Sequence, residues 1–429
     1  MHLKPSKCII VSCLQLTEAL ETLIRMWLCQ HVPAFAEFKI QSSGKYLGWI
    51  LGVNSVQLSY QAPLSKFVNR VSEVCHGQDP AAVAICTYNQ RAVTVLSYVA
   101  QFAPPPEDSK LECLSHWAVH RILRMPPNCM ARELTYAISF CSAVNPLPLK
   151  SYCLASLFRF AASEREYLVQ LRIQVLDLIG LDAPIALTNS LHIPEGGLLC
   201  TPLLSSLLEA LSLEGPLGAA NEMVANNPDH QWLLDFPTSD LPSKYKGIQT
   251  ALCSILSEGE RTRDLAASVA SKLLITFRPI EFPQNWFTNF NAVLQNVSLY
   301  IRMCWLKSVC GGWCTSVRTQ AVSRWDCVFG CPDATDSIGH YLECPILWLY
   351  ARETLDLHEE SIYLESRLCI LNPTIDKLRL LAFSFALYHS IRNDPGCKRE
   401  NGQLQPGHIV QNRAIGLARA SKHLVHVGN

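Results

Sequence analysis

An excess of charge of either sign is missing from the sequence: Lys+Arg 36 balance Asp+Glu 36. This excludes a simple polycation that would coat nucleic acid or acidic lipid by charge alone. Charge is also sparse, at 17% of residues against about 25% in an average soluble domain. With 49% hydrophobic residues, the chain can bury a large core and is not mainly disordered. Its 429 residues suggest about three domains, and no internal repeat or low-complexity tract is present. Catalytic signatures are missing as well. There is no G-x-x-x-x-G-K-[ST], no G-x-G-x-x-G, no G-x-S-x-G, no H-E-x-x-H, and no two adjacent aspartates. The P-loop, the dinucleotide fingerprint, the nucleophile elbow, the zincin helix and a paired-aspartate magnesium site are thus absent from this sequence. Asp229 beside His230 is a lone polar pair in a proline-rich stretch and nominates no catalyst.

A membrane span and a secretion signal are not expected either. The charge-free stretch Tyr46 to Ser65 is interrupted by Asn54, Ser55, Gln57, Ser59, Gln61 and Pro63. Lys4 and Lys7 precede an apolar run, Cys8 to Leu16, but Ser12, Gln15 and Thr17 break it, and no small-residue cleavage site follows before Glu18 and Glu21. What the chain has in abundance is cysteine, 19 residues spread from Cys8 to Cys397. An odd number over so long a chain does not resemble a small disulfide framework. The expectation is a reducing, intracellular compartment, nucleus or cytoplasm, with a secreted disulfide protein as a distant alternative.

Periodicity predicts mostly helix. After Pro63, apolar Leu64, Phe67, Val68, Val71, Val74 and Cys75 oppose Lys66, Asn69, Arg70 and Glu73, with Gly77 placed to stop the helix. Asp79 and Pro80 read as the start of a second helix, closed by Pro104 to Pro106, and a third runs from Asp108 to Arg124. A fourth starts at the capping box Ser163-x-x-Glu166 and ends at Gly180. Prolines punctuate Asp182 to Tyr245 as loops would. Periodicity returns from Trp286 through Cys304, and a last helix spans Thr374 to Arg392. Strands are expected only near HLKPSKCIIV and in KYLGWILG from Lys45, whose glycines suit a hairpin. The fold class predicted is mainly α, a small N-terminal β-containing piece followed by helices and a small zinc-knuckle-like module.

That module is the most specific signal. WDCVFGCPDATDSIGHYLECPILW places Cys327, Cys331, His340 and Cys344 in the spacing C-x3-C-x8-H-x3-C. Gly330 allows a tight turn between the first two thiols. His340 and Cys344, four apart, fall on one side if a helix starts near Asp336 or Ser337. Three thiolates and one imidazole suit one tetrahedral, structural zinc with no open position. Two other readings stand beside it: four ordinary buried residues, or a ligand set formed by Cys310, Cys314, Cys327 and Cys331.

Weaker is a basic stripe, His116, His120 and Arg124 with Lys110 and Arg121 nearby, which suits phosphate contacts or simply a solvated helix face. Around the Cys/His cluster, Arg302, Lys307, Arg318 and Arg324 lie among Trp305, Trp313 and Trp325. Such a mixture can hold a backbone and stack on bases, or be core.

In order along the chain, HLKPSKCIIV, KYLGWILG, APLSKFVNRV, YNQRAVTVLSYVAQF and HRILRMPPN resemble the region downstream of the catalytic core in non-LTR (LINE-like) retrotransposon reverse transcriptases. CVFGCPDATDSIGHYLECPILW is similar to the C-terminal cysteine/histidine motif of that family. The resemblance covers about residues 1–165 and 300–390. It implies a palm remnant with a primer-grip-like hairpin over 1–60 and thumb-like helices over 61–180. The resemblance is weak in the middle, where the chain's own proline pattern gives an irregular helical linker over 181–285. A helix plus zinc knuckle over 286–350 and C-terminal helices over 351–393 follow, and a polar, Gly-containing stretch over 394–429 reads as a mobile tail. The resemblance further implies that Lys7 matches the lysine of the strand after the catalytic turn, and that Gly44 to Gly48, with Lys45, match the primer-grip hairpin. Nucleic-acid contacts are expected at Lys7, Lys45, His116, His120, Arg121, Arg124, Arg318 and Arg324. The partners implied are RNA or DNA and a complete reverse transcriptase. In the family, two adjacent aspartates hold two Mg2+ ions. Their absence here implies no catalytic residue in this chain, and a role for Mg2+ only if another palm supplies them. From a different class, the alternative is a helical structural or interaction protein with a purely structural zinc site.

Overall fold

A computed structural model describes residues 8–163, 245–321 and 325–393, apart from short breaks at 13–14, 47, 78, 104, 107, 260, 262–263, 278–279 and 359–362. The helix expected from Glu166 to Gly180, the proline-punctuated stretch up to 244, and the tail from Asp394 lie outside these residues. Ser163, expected as a cap, is instead itself helical, in a helix that the described residues trace from Leu149.

Strand β1 (Ile9–Val11) is followed by helix α1 (Glu18–His31), strand β2 (Lys39–Gln41) and the hairpin β3 (Ser43–Tyr46) and β4 (Trp49–Gly52). Thr17 caps α1 by accepting from Leu20 N at 3.2 Å, Glu18 and Glu21 favour its first turn, and Pro33 follows its end. The helix thereby serves as a crossover, and β1 and β2 pair in parallel, Ile10 opposite Ile40. The expected hairpin is antiparallel, with Lys45 opposite Ile50 and Tyr46 opposite Trp49. Gly52 is obligatory there: φ is +104°, and a Cβ would meet Ser42 O.

Helix α2 (Ser55–His76) begins eight residues before Pro63, the residue expected to start it. An interior proline costs about 3 kcal/mol, but tertiary bonds anchor the turns before it. Ser59 Oγ accepts from Ile50 N at 2.9 Å, and Tyr60 donates its hydroxyl to Ala103 O at 3.2 Å. Next come α3 (Ala81–Thr87), continued irregularly to Ala100, then α4 (Asp108–Ile122), α5 (Leu149–Ser163), α6 (Tyr245–Gly259) and α7 (Leu265–Thr276). The periodicity from Trp286 to Cys304 is divided between α8 (Trp286–Leu294) and α9 (Leu299–Val309). Ser298 makes the break by capping α9 through Ile301 N. Helices α10 (Ile338–Glu343), α11 (Pro345–Leu355) and α12 (Ile375–Asn393) complete the order. The protein is mainly α, with its few strands near the N-terminus.

The chain forms two compact units, each discontinuous in sequence. One comprises Met1–Val71, Asn89–Ser115 and Leu147–Gly259; the other comprises Ser72–Tyr88, His116–Pro146 and Glu260–Asn429. In the first, α5 packs along α6, burying Cys153, Leu157, Leu252 and Ile255, and Gln249 Nε2 donates to Ser156 Oγ at 2.7 Å. In the second, α9 and α11 pack on α12 around Phe290, Trp305, Trp313, Tyr341 and Tyr388. The indoles are fully engaged: Trp305 Nε1 donates to Leu368 O at 2.9 Å, and Trp313 Nε1 to Ser308 Oγ at 3.0 Å.

Candidate metal centre

Between α9 and α10, from Cys310 to Ser337, the described residues form no regular helix, and polar bonds set the course of the chain. Asp336 is completely buried; its carboxylate accepts from Ser316 N at 2.6 Å and from the Tyr388 hydroxyl at 3.1 Å. A bridge between Asp326 and Thr335 aligns the two arms of the loop, and Cys327 N donates to Ala334 O at 2.7 Å. At the tip, Gly330 N donates to Cys327 O at 3.0 Å, with Gly330 at φ +83°, a left-handed turn that brings Cys327 and Cys331 to one side.

The other two ligands come from the helical junction. Ser337 caps α10 by accepting from His340 N at 3.2 Å, which fixes His340 in the first turn. Cys344 follows the end of α10 and itself caps α11, its sulfur accepting from Leu347 N at 3.5 Å. One ligand atom from each of Cys327, Cys331, His340 and Cys344 then lies within 4.8 Å of the others. Cys344 Sγ is 3.5 Å from Cys331 Sγ and 4.0 Å from Cys327 Sγ. The three sulfurs are buried, and His340 Nε2 is buried with no hydrogen-bond partner. The thiols share their protons unequally. Hydrogen bonding from Cys344 holds Cys327 down at about 4, whereas the Cys327 partner and burial push Cys344 up. Three clustered sulfurs and an orphaned imidazole nitrogen fit a metal ion: a cation would ionise the thiols and give Nε2 its missing partner. The cluster can hold one metal ion. Neither residue of the rival pair belongs to it: Cys310 is buried behind the end of α9, and Cys314 is exposed.

The residues expected to contact nucleic acid are scattered. Lys7 and Arg324 lie outside the described residues. Lys45 is exposed on β3, and Arg121 and Arg124 are exposed at the end of α4. His116 is half-buried and donates from Nε2 to Met130 O at 3.2 Å. The stripe needs correcting at His120, which is 2% exposed and faces the core. Its Nδ1 donates to His116 O at 2.8 Å and its Nε2 accepts from Met130 N at 3.4 Å. Burial holds its pKa down at about 4, so it is neutral and offers no charge to a phosphate. Trp305 and Trp313 are likewise core, not stacking platforms. Trp325 is covered by Arg392, whose guanidinium lies 3.6 Å from the ring centroid. Arg318 is half-buried over the turn after α9. Asp336, whose carboxylate orders the loop, shows in the sequence only as half of an Asp-Ser pair before a helix.

Among the described residues, all cysteines are free thiols, and no helix is long and apolar enough to cross a membrane. No protein-family model, curated protein or solved structure matches the chain.

Proposed function

We propose that this chain is a non-catalytic, nucleic-acid-binding segment of the kind found downstream of the catalytic core in non-LTR reverse transcriptases, with one structural zinc held by Cys327, Cys331, His340 and Cys344. The observation that carries the metal is the convergence of four ligand atoms within 4.8 Å, one of them the unpartnered His340 Nε2. Three sulfurs and one imidazole are the donor set of structural zinc, and all four positions of a tetrahedron come from the protein. A site so closed leaves no position for water or substrate, so it supports a structural role. The nucleic-acid half rests on the order of the resembling segments along the sequence, and on exposed cations at Lys45, Arg121 and Arg124. With no adjacent aspartates in its sequence, the chain would use Mg2+ only beside a palm supplied by a complete polymerase. Nineteen cysteines suit the nucleus or cytoplasm, where thiols stay reduced.

A second reading has its own support. Balanced charge and the burial of His120, Trp305 and Trp313 favour a helical interaction protein whose zinc only stabilises the fold. Binding of single-stranded RNA and DNA to the zinc-loaded chain, measured across a salt series, separates the two. The first reading expects affinity that falls with salt and drops when Arg121, Arg124, Arg318 and Arg324 are all replaced by alanine. Affinity no better than that of a neutral control protein would defeat it, and affinity unchanged in the quadruple variant would favour the second.

A further inference from the structure

Four cations of the second unit, Lys272, Lys307, Arg318 and Arg124, lie on the segments around the ends of helices α7 and α9 and act on shared neighbours. Lys272 lies one turn before the end of α7, where Thr276 Oγ1 donates to Lys272 O at 2.8 Å. Lys307 occupies the last turn of α9, and its carbonyl accepts from Gly312 N at 2.6 Å. At Gly311 these ends meet Arg318: a Cβ built there would lie 3.1 Å from Arg318 Nη1 and 3.5 Å from Thr276 Cγ2. Arg124, just past α4, adds its charge to the field at Lys307. Shared neighbours tie the group together. Cys129 lies in the field of Arg318, Lys272 and Lys307, and Cys310 and His120 in that of Lys272 and Arg318.

The cluster lacks a counter-charge. Among the described residues, none of the four makes an ion pair or a side-chain hydrogen bond, and Arg318 Nε is buried without a partner. Of the ionisable neighbours, burial pushes Cys129 up to about 11 and Cys304 up to about 12, raises Cys310, and keeps His120 neutral; Cys314 is the remaining thiol that faces Lys307. Helix C-termini favour cations, which accounts for lysines at the ends of α7 and α9. It leaves unexplained why two lysines and two arginines gather there with no carboxylate among them.

We infer that the second unit holds a site for a tetrahedral oxyanion, a phosphate group bound by Lys272, Lys307 and Arg318 with Arg124 at its rim. Guanidinium donates in pairs to phosphate oxygens and ammonium adds a point charge. The same chemistry serves free phosphate and the phosphodiester of a nucleic-acid backbone. The inference needs neither the metal centre nor the family resemblance.

The test is titration of the zinc-loaded full chain with inorganic phosphate against chloride at matched ionic strength, followed by calorimetry and thermal melting. Saturable binding that raises the melting temperature is expected. Lys272→Gln and Arg318→Gln should each weaken it about tenfold, whereas Arg25→Gln, which removes the partner of Glu21, should leave it unchanged. Should Arg318→Gln fail to fold, the half-exposed Lys272 carries the test alone. Displacement of phosphate by a short single-stranded RNA would name a phosphodiester as the ligand, and phosphate bound without displacement would name the free anion; both outcomes support the site. No response to phosphate beyond that to chloride, or binding indifferent to Lys272→Gln, would overturn it.

Discussion

The helix pair α5 and α6 and the loop from Cys310 to Ser337 are held in opposite ways. The pair is stabilised by apolar packing of Cys153, Leu157, Leu252 and Ile255. Among its described residues the loop has no ladder of its own beyond one isolated bridge, Asp326 to Thr335. Long loops without regular structure are uncommon in compact domains. This one is fixed by specific groups: the buried Asp336 carboxylate, the Trp313 indole and the four-ligand cluster. A packed helix pair degrades gradually under substitution, because many small contacts share the load. A loop organised by a few polar and ligand groups fails when one of them is lost.

The largest effect should follow removal of the proposed metal. Stripping it with a chelator, or Cys331→Ser, should unfold the region from Trp313 to Cys344, since structural zinc contributes about 10 kcal/mol or more in small zinc-bound domains. Hydrogen exchange read separately for this loop and for α5 and α6 checks it; equal loss of protection in both would break the contrast. Next, Trp313→Ala should destabilise the second unit by about 3–5 kcal/mol, because the indole is fully buried and packs 5.0 Å from the Tyr388 ring. Asp336→Ala strands Ser316 N and the Tyr388 hydroxyl and should cost about 2–3 kcal/mol in denaturant unfolding.

Acid should act on the same unit. His120 is neutral in the fold, with its pKa lowered from 6.5 to about 4. A histidine depressed in the folded state leaves stability unaffected above the unfolded value. Between 6.5 and 4 only the unfolded chain takes up a proton, so stability falls as pH falls through that window. A loss of about 2 kcal/mol is expected, and His120→Gln should flatten the profile. Metal content followed over the same pH range separates this from protonation of the Cys/His cluster. The smallest effect belongs to the first unit. Tyr60→Phe removes the hydroxyl from Ala103 O and from the neighbouring Cys153 thiol and should cost about 1 kcal/mol in a thermal melt. A loss there as large as that from Asp336→Ala would erase the distinction between the two regions.

Much of this was legible in the sequence, for identifiable reasons. The Cys/His cluster could be read because cysteine and histidine spacing encodes it locally: a turn at Gly330, and a capped helix start at Ser337 that places His340. The hairpin was legible from Gly48 and Gly52, and α12 from its long apolar pattern. The start of α2 was not, because Pro63 is a local breaker overruled by distant bonds from Ile50 and to Ala103. Nor was the break before α9, where the apolar period continues across a serine cap. His120 misled for a related reason: a helix-face pattern does not say which face meets the core. Lys307 and Arg318 were legible as cations near one another in the sequence, but their approach to the end of the helix that carries Lys272 was not, because a glycine turn joins segments far apart in the chain.

The most direct measurement is cobalt substitution of the purified chain, followed by absorption spectroscopy and metal counting on single variants. One equivalent of metal with thiolate charge-transfer bands is predicted, lost in Cys331→Ser and altered in His340→Ala, with Cys310→Ser indistinguishable from the unsubstituted protein. Retention of the full spectrum in His340→Ala together with its loss in Cys310→Ser would contradict the assigned centre.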